Sequence, residues 1–144
     1  MSDVPKPAVD TIILNGRKVL MTKREGEPFK GLWKFPGGMV DNDETVEQAA
    51  VREVKEETGL DVEIIDILGV YSDPKRDPRM HTMAVVFIMK PLNNVLKMNE
   101  ESTDIKWVDI DEVDTKNLGF DHGKIAEDFK KWLKLKGTYW STKL

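Results

Sequence analysis

Three glutamates near the middle of the chain have a spacing that could support metal chemistry. Glu53, Glu56 and Glu57 stand at i, i+3 and i+4, so a helix would present all three carboxylates on one face. Like charges at this spacing repel each other, but they suit Mg²⁺ or Mn²⁺, hard cations that prefer oxygen ligands. Such a cation could polarise a phosphoryl oxygen and lower the pKa of a bound water molecule. The three glutamates therefore predict a metal site that acts on a phosphate compound.

The same helical face begins with apolar residues. At about 100° per residue, Val46, Ala49 and Ala50 share a side with the three glutamates. The inward stripe thus becomes acidic in its last turns, which is costly unless a cation meets the carboxylates. This face of the helix carries no matching cluster of Lys or Arg, so the pattern favours a metal over a solvated acidic surface. Arg52 is adjacent and could orient one carboxylate by a charge-assisted hydrogen bond.

A helix over residues 44–58 should carry the glutamates. The polar residues 41–43 are its candidate N-caps, and Gly59 is the expected residue just past its C-terminus. Before it, residues 33–35 form a short aromatic strand that Pro36-Gly37-Gly38 ends. Paired glycines allow close backbone approach, so a carbonyl here could join a metal shell.

The polar segment 23–34 is predicted to be a loop whose basic residues could reach a substrate phosphate. It carries Lys23, Arg24, Lys30 and Lys34, of which Arg24 is the candidate ligand of the substrate. The competing interpretation is a solvated loop.

The remaining elements predict an α/β fold. The β-rich segments are 8–14, 18–22, 60–71, 82–89 and 104–108, and Asn15-Gly16 is the hairpin signal between the first two. A final helix over His122–Leu135, capped by Asp121, precedes a tail at residues 137–144 that could dock on the body or on a second subunit. The order of elements predicts a mixed sheet between helices in a single domain over residues 1–144.

Composition excludes several classes of function. The 144 residues contain no Cys, which rules out disulfides and Cys-based zinc sites, and two His disfavour a His-rich zinc site. The net charge of −4 gives no indication of binding to a nucleic acid polymer. No apolar run is long enough for a membrane helix and none suggests a secretory signal, so we expect a cytoplasmic protein that does not bind membranes.

The segment 38–60 resembles the Nudix box. Gly38, five residues, Glu44, seven residues and then Arg52-Glu53-Val54-Lys55-Glu56-Glu57-Thr58-Gly59-Leu60 match its spacing without departure. The resemblance implies an α/β/α sandwich and Mg²⁺- or Mn²⁺-dependent hydrolysis of a nucleoside diphosphate linked to another group. It also implies that Glu53, Glu56, Glu57 and the Gly38 carbonyl bind metal, while Glu44 and Arg52 support the loop and helix.

Members of the family take their general base from different places. Glu57 is one candidate and Glu101 is another, with Glu100 and Asp104 as competitors. A general base of this kind is worth about 10²–10⁴ in rate.

The substrate is indicated by segments outside the box. Residues 71–79, with Arg76 and Arg79 as candidate phosphate or ribose ligands, are similar to ADP-ribose pyrophosphatase-like members. Phe120-Asp121-His122 is similar too, and His122 is expected to cap or pack. ADP-ribose, cleaved to AMP and ribose 5-phosphate, is the expected substrate, and a homodimer is expected by the same resemblance. The alternatives are a hydrolase of oxidised nucleoside triphosphates or dinucleoside polyphosphates, and a non-catalytic nucleotide-sensing module.

Overall fold

A computed structural model describes residues 4–144, which form one mixed sheet and two α-helices. The strands are β1 (Lys6–Asn15), β2 (Lys18–Arg24), β3 (Trp33–Lys34), β4 (Gly37–Met39), β5 (Val62–Tyr71), β6 (Thr82–Pro91), β7 (Ser102–Asp109) and β8 (Tyr139–Trp140). The helices are α1 (Val46–Thr58) and α2 (His122–Leu135), with a 3₁₀ turn at Ile110–Glu112.

The sheet combines parallel and antiparallel pairs. Its main path runs β3-β2-β1-β6-β5-β8, with β4 paired to β1 and β7 paired to β2. β1 and β6 run parallel over eight residue pairs, whereas β5 is antiparallel to β6. The central position of β6 agrees with its predicted apolar run, although Met83 remains 44% exposed.

Each face of the sheet is covered by one helix. On one face Val9 and Ile13 of β1 pack with Ala50 and Val54 of α1. On the other face Ile12 packs with the cluster that contains Phe129 of α2. This alternation along β1 places one core on each side of the sheet. The predicted α/β/α sandwich with a mixed sheet is confirmed.

The first hairpin forms one residue later than its sequence signal. Asn15 pairs with Lys18, so the two turn residues are Gly16 and Arg17 rather than Asn15 and Gly16. β2 also continues to Arg24, which shortens the predicted loop, and residues 37–39 form β4 where an interruption was expected.

The N-cap of α1 differs from the prediction. Thr45, not a residue of 41–43, caps the helix, and it forms a capping box with Gln48. Gly59 follows the C-terminus with φ 80°, as expected. The prediction for Asp121 is wrong in another way: it occupies the N-cap position of α2, but its side chain makes no capping bond.

The final segment (residues 137–144) docks on the body. Tyr139 and Trp140 form β8, which extends the sheet parallel to β5 at Gly69 and Val70. Of the two interpretations given to this segment, docking on the same chain is the one observed. Within residues 4–144, no helix combines the length and the hydropathy needed to cross a membrane.

Candidate active site

An open cavity of about 430 Å³ lies where α1, β4 and the loop 72–79 meet. The glycines of β4 and two glutamates of α1 form one wall, and three arginines, Glu101 and Phe120 contribute to the others. Carboxylates and guanidinium groups therefore face the same open space.

Glu57 is the most buried carboxylate of the cavity. Its Oε1 accepts a hydrogen bond from Lys34 Nζ at 3.0 Å, and its Oε2 accepts one from the Gly37 backbone N–H at 3.0 Å. Burial raises the pKa of Glu57, and the nearby charge of Glu101 raises it further, whereas Lys34 opposes the shift. Lys34 thus supplies a cation that the sequence pattern did not indicate.

Arg52 holds two further glutamates at the wall of the cavity that α1 and β4 form, which we call the acidic wall. Its guanidinium donates to Glu53 Oε1 at 2.6 Å, to Glu44 Oε2 at 2.7 Å and to the Met39 carbonyl at 3.0 Å. The hydrogen bond from Arg52, helped by the Asp41 backbone N–H, lowers the pKa of Glu44 to about 2. Arg52 therefore connects α1 to the turn before it and to β4.

Two basic side chains meet the acidic face of α1. Lys34 and Arg52 both reach it, Lys34 from β3 and Arg52 from within α1. Helical periodicity cannot reveal Lys34, because it lies 23 residues from Glu57 in sequence.

Gly38 makes the backbone approach that its pattern predicted. A Cβ added at Gly38 would overlap the carboxylate of Glu53. A larger residue at position 38 would therefore displace the Glu53 carboxylate from its place against β4.

The donor set has the chemistry that a divalent cation needs. Burial raises the pKa of Glu53 to about 7; Arg52 opposes this and Glu57 adds to it. A hard cation with oxygen ligands would relieve two partly buried carboxylates that repel each other. Within residues 4–144, no three His, Asp or Glu side chains yet converge on one point. Lys34 and Arg52 hold the oxygens of Glu57 and Glu53, and the side chain of Glu56 is 54% exposed.

Arg76 is occupied by a buried ion-pair network. Its guanidinium donates to Asp10 at 2.7 Å, to Asp121 at 2.8 Å and to the Thr82 hydroxyl at 2.8 Å. The side chain is only 5% exposed. Burial alone would lower the pKa of Arg76, but Asp10 and Asp121 outweigh it and the pKa is raised. Although Arg76 lines the cavity, its donors are already used by the protein.

Asp10 and His122 are site residues that the sequence did not predict in these roles. The Phe35 backbone N–H donates to His122 Nδ1 at 2.9 Å, which leaves Nε2–H to face Asp10 Oδ1 at 3.3 Å. His122 is 1% exposed, so it packs, as expected, rather than facing a substrate. No local signal identified Asp10, because its partners lie 66 and 112 residues away.

Arg24 and Arg79 are the arginines of the cavity whose guanidinium groups remain more accessible. They lie 5.1 and 5.8 Å from the ring centre of Phe120. Arg79 pairs with Asp77 at 2.9 Å but is 49% exposed. Arg24 donates to the Pro28 carbonyl and, within residues 4–144, forms no ion pair within 4 Å. Burial, and then the charge of Arg79, lower the pKa of Arg24.

The candidates for a general base occupy different places. Glu101 lines the cavity and its charge acts on Glu57. Glu100 lines a separate surface depression next to Lys55. Asp104 lies on β7, paired with Lys23, and its carboxylate accepts a hydrogen bond from the Ile105 backbone N–H. Glu100, Glu101 and Asp104 are therefore close in sequence but lie in different places, and of the three Glu101 is the one that lines the cavity.

Known proteins are similar to this chain in sequence and in fold. The profile of the NUDIX domain family matches residues 4–129. A Methanocaldococcus jannaschii protein named ADP-ribose pyrophosphatase is 44% identical over 128 residues, which cover 89% of this chain and 75% of that protein.

Two solved structures are also similar to this chain. A NUDIX hydrolase from Nitrosomonas europaea has a TM-score of 0.82 at 27% identity and covers 97% of this chain and 79% of its own. The NUDIX domain of Shewanella oneidensis NrtR, solved with ADP ribose, has a TM-score of 0.77 at 27% identity and covers 90% and 89%. With a family profile that spans most of its length and relatives of this similarity, the chain belongs to the NUDIX domain family.

Proposed function

We propose that this Nudix hydrolase is Mg²⁺-dependent and cleaves ADP-ribose into AMP and ribose 5-phosphate. The observation that carries the proposal is the open cavity in which the glutamates of α1 face two accessible arginines. Support for the substrate comes from the 44% identical relative named ADP-ribose pyrophosphatase and from the similar domain solved with ADP ribose.

Glu53 and Glu57, with Glu56 and the Gly38 carbonyl, would hold the metal ion, Mg²⁺ by preference and Mn²⁺ as an alternative. When bound, such an ion supplies Lewis-acid polarisation of a phosphoryl oxygen and lowers the pKa of a water molecule. Lys34 and the Gly37 N–H hold the Glu57 carboxylate, while Arg52 holds Glu53, so both oxygen donors are oriented in advance. Glu44 supports the wall through Arg52.

In the proposed reaction, water attacks one phosphorus of the pyrophosphate and the bridging P–O bond breaks. We assign the general base to Glu101, because Glu57 is already assigned to the metal ion and both of its oxygens accept hydrogen bonds. Within residues 4–144 the Glu101 carboxylate has no hydrogen-bond partner and is exposed at the cavity. It is therefore available to accept the water proton.

Arg24 and Arg79 are the proposed ligands of the phosphate or ribose. Both guanidinium groups lie beside the Phe120 ring, so an anion bound by the two would offset the repulsion of Arg24 by Arg79. Arg76 belongs to the same wall, but its fixed ion pairs suit it to position the loop 72–79 rather than to exchange partners with a substrate.

A panel of pyrophosphates assayed by product identity tests this proposal. ADP-ribose, NADH, a diadenosine polyphosphate and 8-oxo-dGTP should be compared with Mg²⁺, with Mn²⁺ and after chelation. ADP-ribose should give the highest kcat/KM, with AMP and ribose 5-phosphate in equal amounts and no turnover after chelation. Preference for the triphosphate or the dinucleoside compound would favour those alternatives, and binding of ADP-ribose without turnover would favour a sensing module. The homodimer and the cytoplasmic location remain predictions, and light scattering would measure the first.

A further inference from the structure

We propose that Ser141, in the final segment, is a positioning residue that fixes the substrate-binding loop 72–79. This loop carries Arg76 and Arg79 into the cavity. The proposal rests on the proposed function only for its kinetic consequence, because the contact itself does not depend on the identity of the substrate.

The hydroxyl of Ser141 accepts two hydrogen bonds at the point where β5 ends. The Ser72 backbone N–H donates to Oγ at 2.9 Å, and the Asp73 backbone N–H donates to the same atom at 3.3 Å. The Ser72 and Asp73 N–H groups lie beyond the end of β5 and have no partner in the sheet, so they need a hydrogen-bond acceptor elsewhere. A single side chain from a segment about 70 residues away provides that partner.

Asp73 links the Ser141 contact to the rest of the loop 72–79 through two further hydrogen bonds. Its carboxylate accepts a hydrogen bond from the Lys75 N–H at 2.8 Å, and its carbonyl accepts one from the Arg76 N–H at 3.0 Å. The position of Ser141 therefore determines the turn from which the Arg76 side chain enters its buried network.

The final segment is itself firmly held, which a positioning residue requires. Tyr139 is 7% exposed and pairs with Gly69 of β5, where an added Cβ would overlap the Tyr139 carbonyl. From α2, Lys124 Nζ donates to the Lys143 carbonyl at 2.6 Å. Ser141 lies between these two attachment points, so its hydroxyl is fixed relative to the sheet and α2.

Loss of the Ser141 hydrogen bonds should weaken substrate binding more than it slows the chemical step. The side chain of Arg76 is held independently by Asp10 and Asp121, whereas Arg79 is held by Asp77 of the same loop. A displaced loop would carry Asp77 and Arg79 with it. The glutamates lie on α1, which makes no hydrogen bond to residues 72–79 among those described. KM should therefore change, while kcat should not.

The kinetic test compares Ser141→Ala with two controls. Ser141→Thr retains a hydroxyl, and Thr142→Ala removes one from the exposed neighbouring residue. With ADP-ribose and Mg²⁺, Ser141→Ala should raise KM about fivefold or more, because the part-buried Ser72 N–H and the Asp73 N–H lose the acceptor that fixes the loop. Its kcat should stay within about twofold of wild type by the argument above. Ser141→Thr should restore most of the affinity, and Thr142→Ala should behave as wild type. An unchanged KM in Ser141→Ala, or a fall confined to kcat, would overturn the proposal.

Amide hydrogen exchange gives a readout that needs no turnover. In Ser141→Ala the amides of Ser72, Asp73, Lys75 and Arg76 should exchange faster, while those of α1 and β6 keep wild-type protection and report that the fold is intact. Unchanged exchange at residues 72–76 would refute the positioning role. If the wild-type protein leaves ADP-ribose intact, the substrate proposal fails, but the exchange experiment still decides the role of Ser141.

Discussion

At the scale of single residues, the buried carboxylates of the acidic wall are stabilised because each one pairs with a basic side chain. Lys34 is 10% exposed and Glu57 only 3% exposed at their side chains, so this pair is buried together. Arg52 serves Glu53 and Glu44 at once. Lys34 and Arg52 hold these carboxylates in place, although neither residue belongs to the apolar and acidic face of α1 from which the metal site was predicted.

The two adjacent glutamates at positions 100 and 101 allow a matched test of the general base. Glu101→Gln should lower kcat by about 10²–10⁴, the usual contribution of a general base, because the amide cannot accept the water proton. Glu100→Gln, with the same chemical change outside the cavity, should keep wild-type kcat. Steady-state rates over a pH series measure both variants. Equal rates for the two would move the assignment from Glu101 to Glu57.

The sequence allowed some residue-level contacts to be predicted and not others. The partnership of Arg52 with a neighbouring carboxylate followed from adjacency on one helix. Asp10 and Lys34 were missed as partners, since each reaches the site from a strand distant in sequence. Side-chain types and local spacing carry no information about such pairs until the strand order is known.

At the scale of elements, the start of α1 depends on Thr45. Its hydroxyl accepts a hydrogen bond from the Gln48 N–H at 3.0 Å, and the Gln48 side chain returns one from the Thr45 N–H. Thr45→Ala should lower the free energy of unfolding by about 1 kcal/mol, the usual value of an N-cap. Asn42→Ala, in the exposed turn before the helix, should change it little. Urea unfolding measures both, and equal losses would contradict the assignment of the cap.

Long elements were predictable and short ones were not. Both helices and the strands β5 and β6 have enough residues to show a period or an apolar run. β4 and β8 have three and two residues, which are too few for any pattern. They form because β1 and β5 present edges to which these segments can bond. Docking of the final segment likewise depends on Gly69, whose lack of a side chain lets the two backbones meet.

At the scale of the whole molecule, Arg76 joins parts of the chain that are far apart. It connects β1 through Asp10, in a buried pair, to the start of α2 through Asp121, in a partly buried pair. Removal of one partner from a buried pair leaves an uncompensated charge, so Arg76→Met should destabilise the fold by about 3–5 kcal/mol. Lys75→Met removes an exposed lysine from the same loop and should change stability by no more than about 0.5 kcal/mol. Similar losses in chemical denaturation would show that Arg76 has no special role.

The same network predicts how stability depends on pH. Burial would raise the pKa of Asp10, but His122, Arg76 and Lys34 together outweigh it, and the pKa is held well below its usual range. Asp121 shares Arg76 and is the other acid of the network. The folded state therefore binds fewer protons than the unfolded chain, and the stabilisation is present above the unfolded pKa of about 3.9. It is lost as pH falls through the lowered pKa of the folded protein.

The difference in unfolding free energy between wild type and Asp10→Asn should accordingly be largest near neutral pH. It should shrink as pH falls below about 4, where the unfolded chain takes up the proton. Denaturant titrations at a series of pH values measure this difference. A gap that stays constant, or widens in acid, would mean that Asp10 is not held in its charged form.

We propose that the carboxylates of α1 make this chain a metal-dependent pyrophosphohydrolase. The most direct test measures AMP formed from ADP-ribose with Mg²⁺ by wild type, Glu53→Gln, Glu57→Gln and the exposed-surface variant Glu47→Gln, each checked for folding. Wild type and Glu47→Gln should produce AMP at similar rates, while the other two should fall by at least about 10²-fold. Full Mg²⁺-dependent turnover in both Glu53→Gln and Glu57→Gln would contradict the claim.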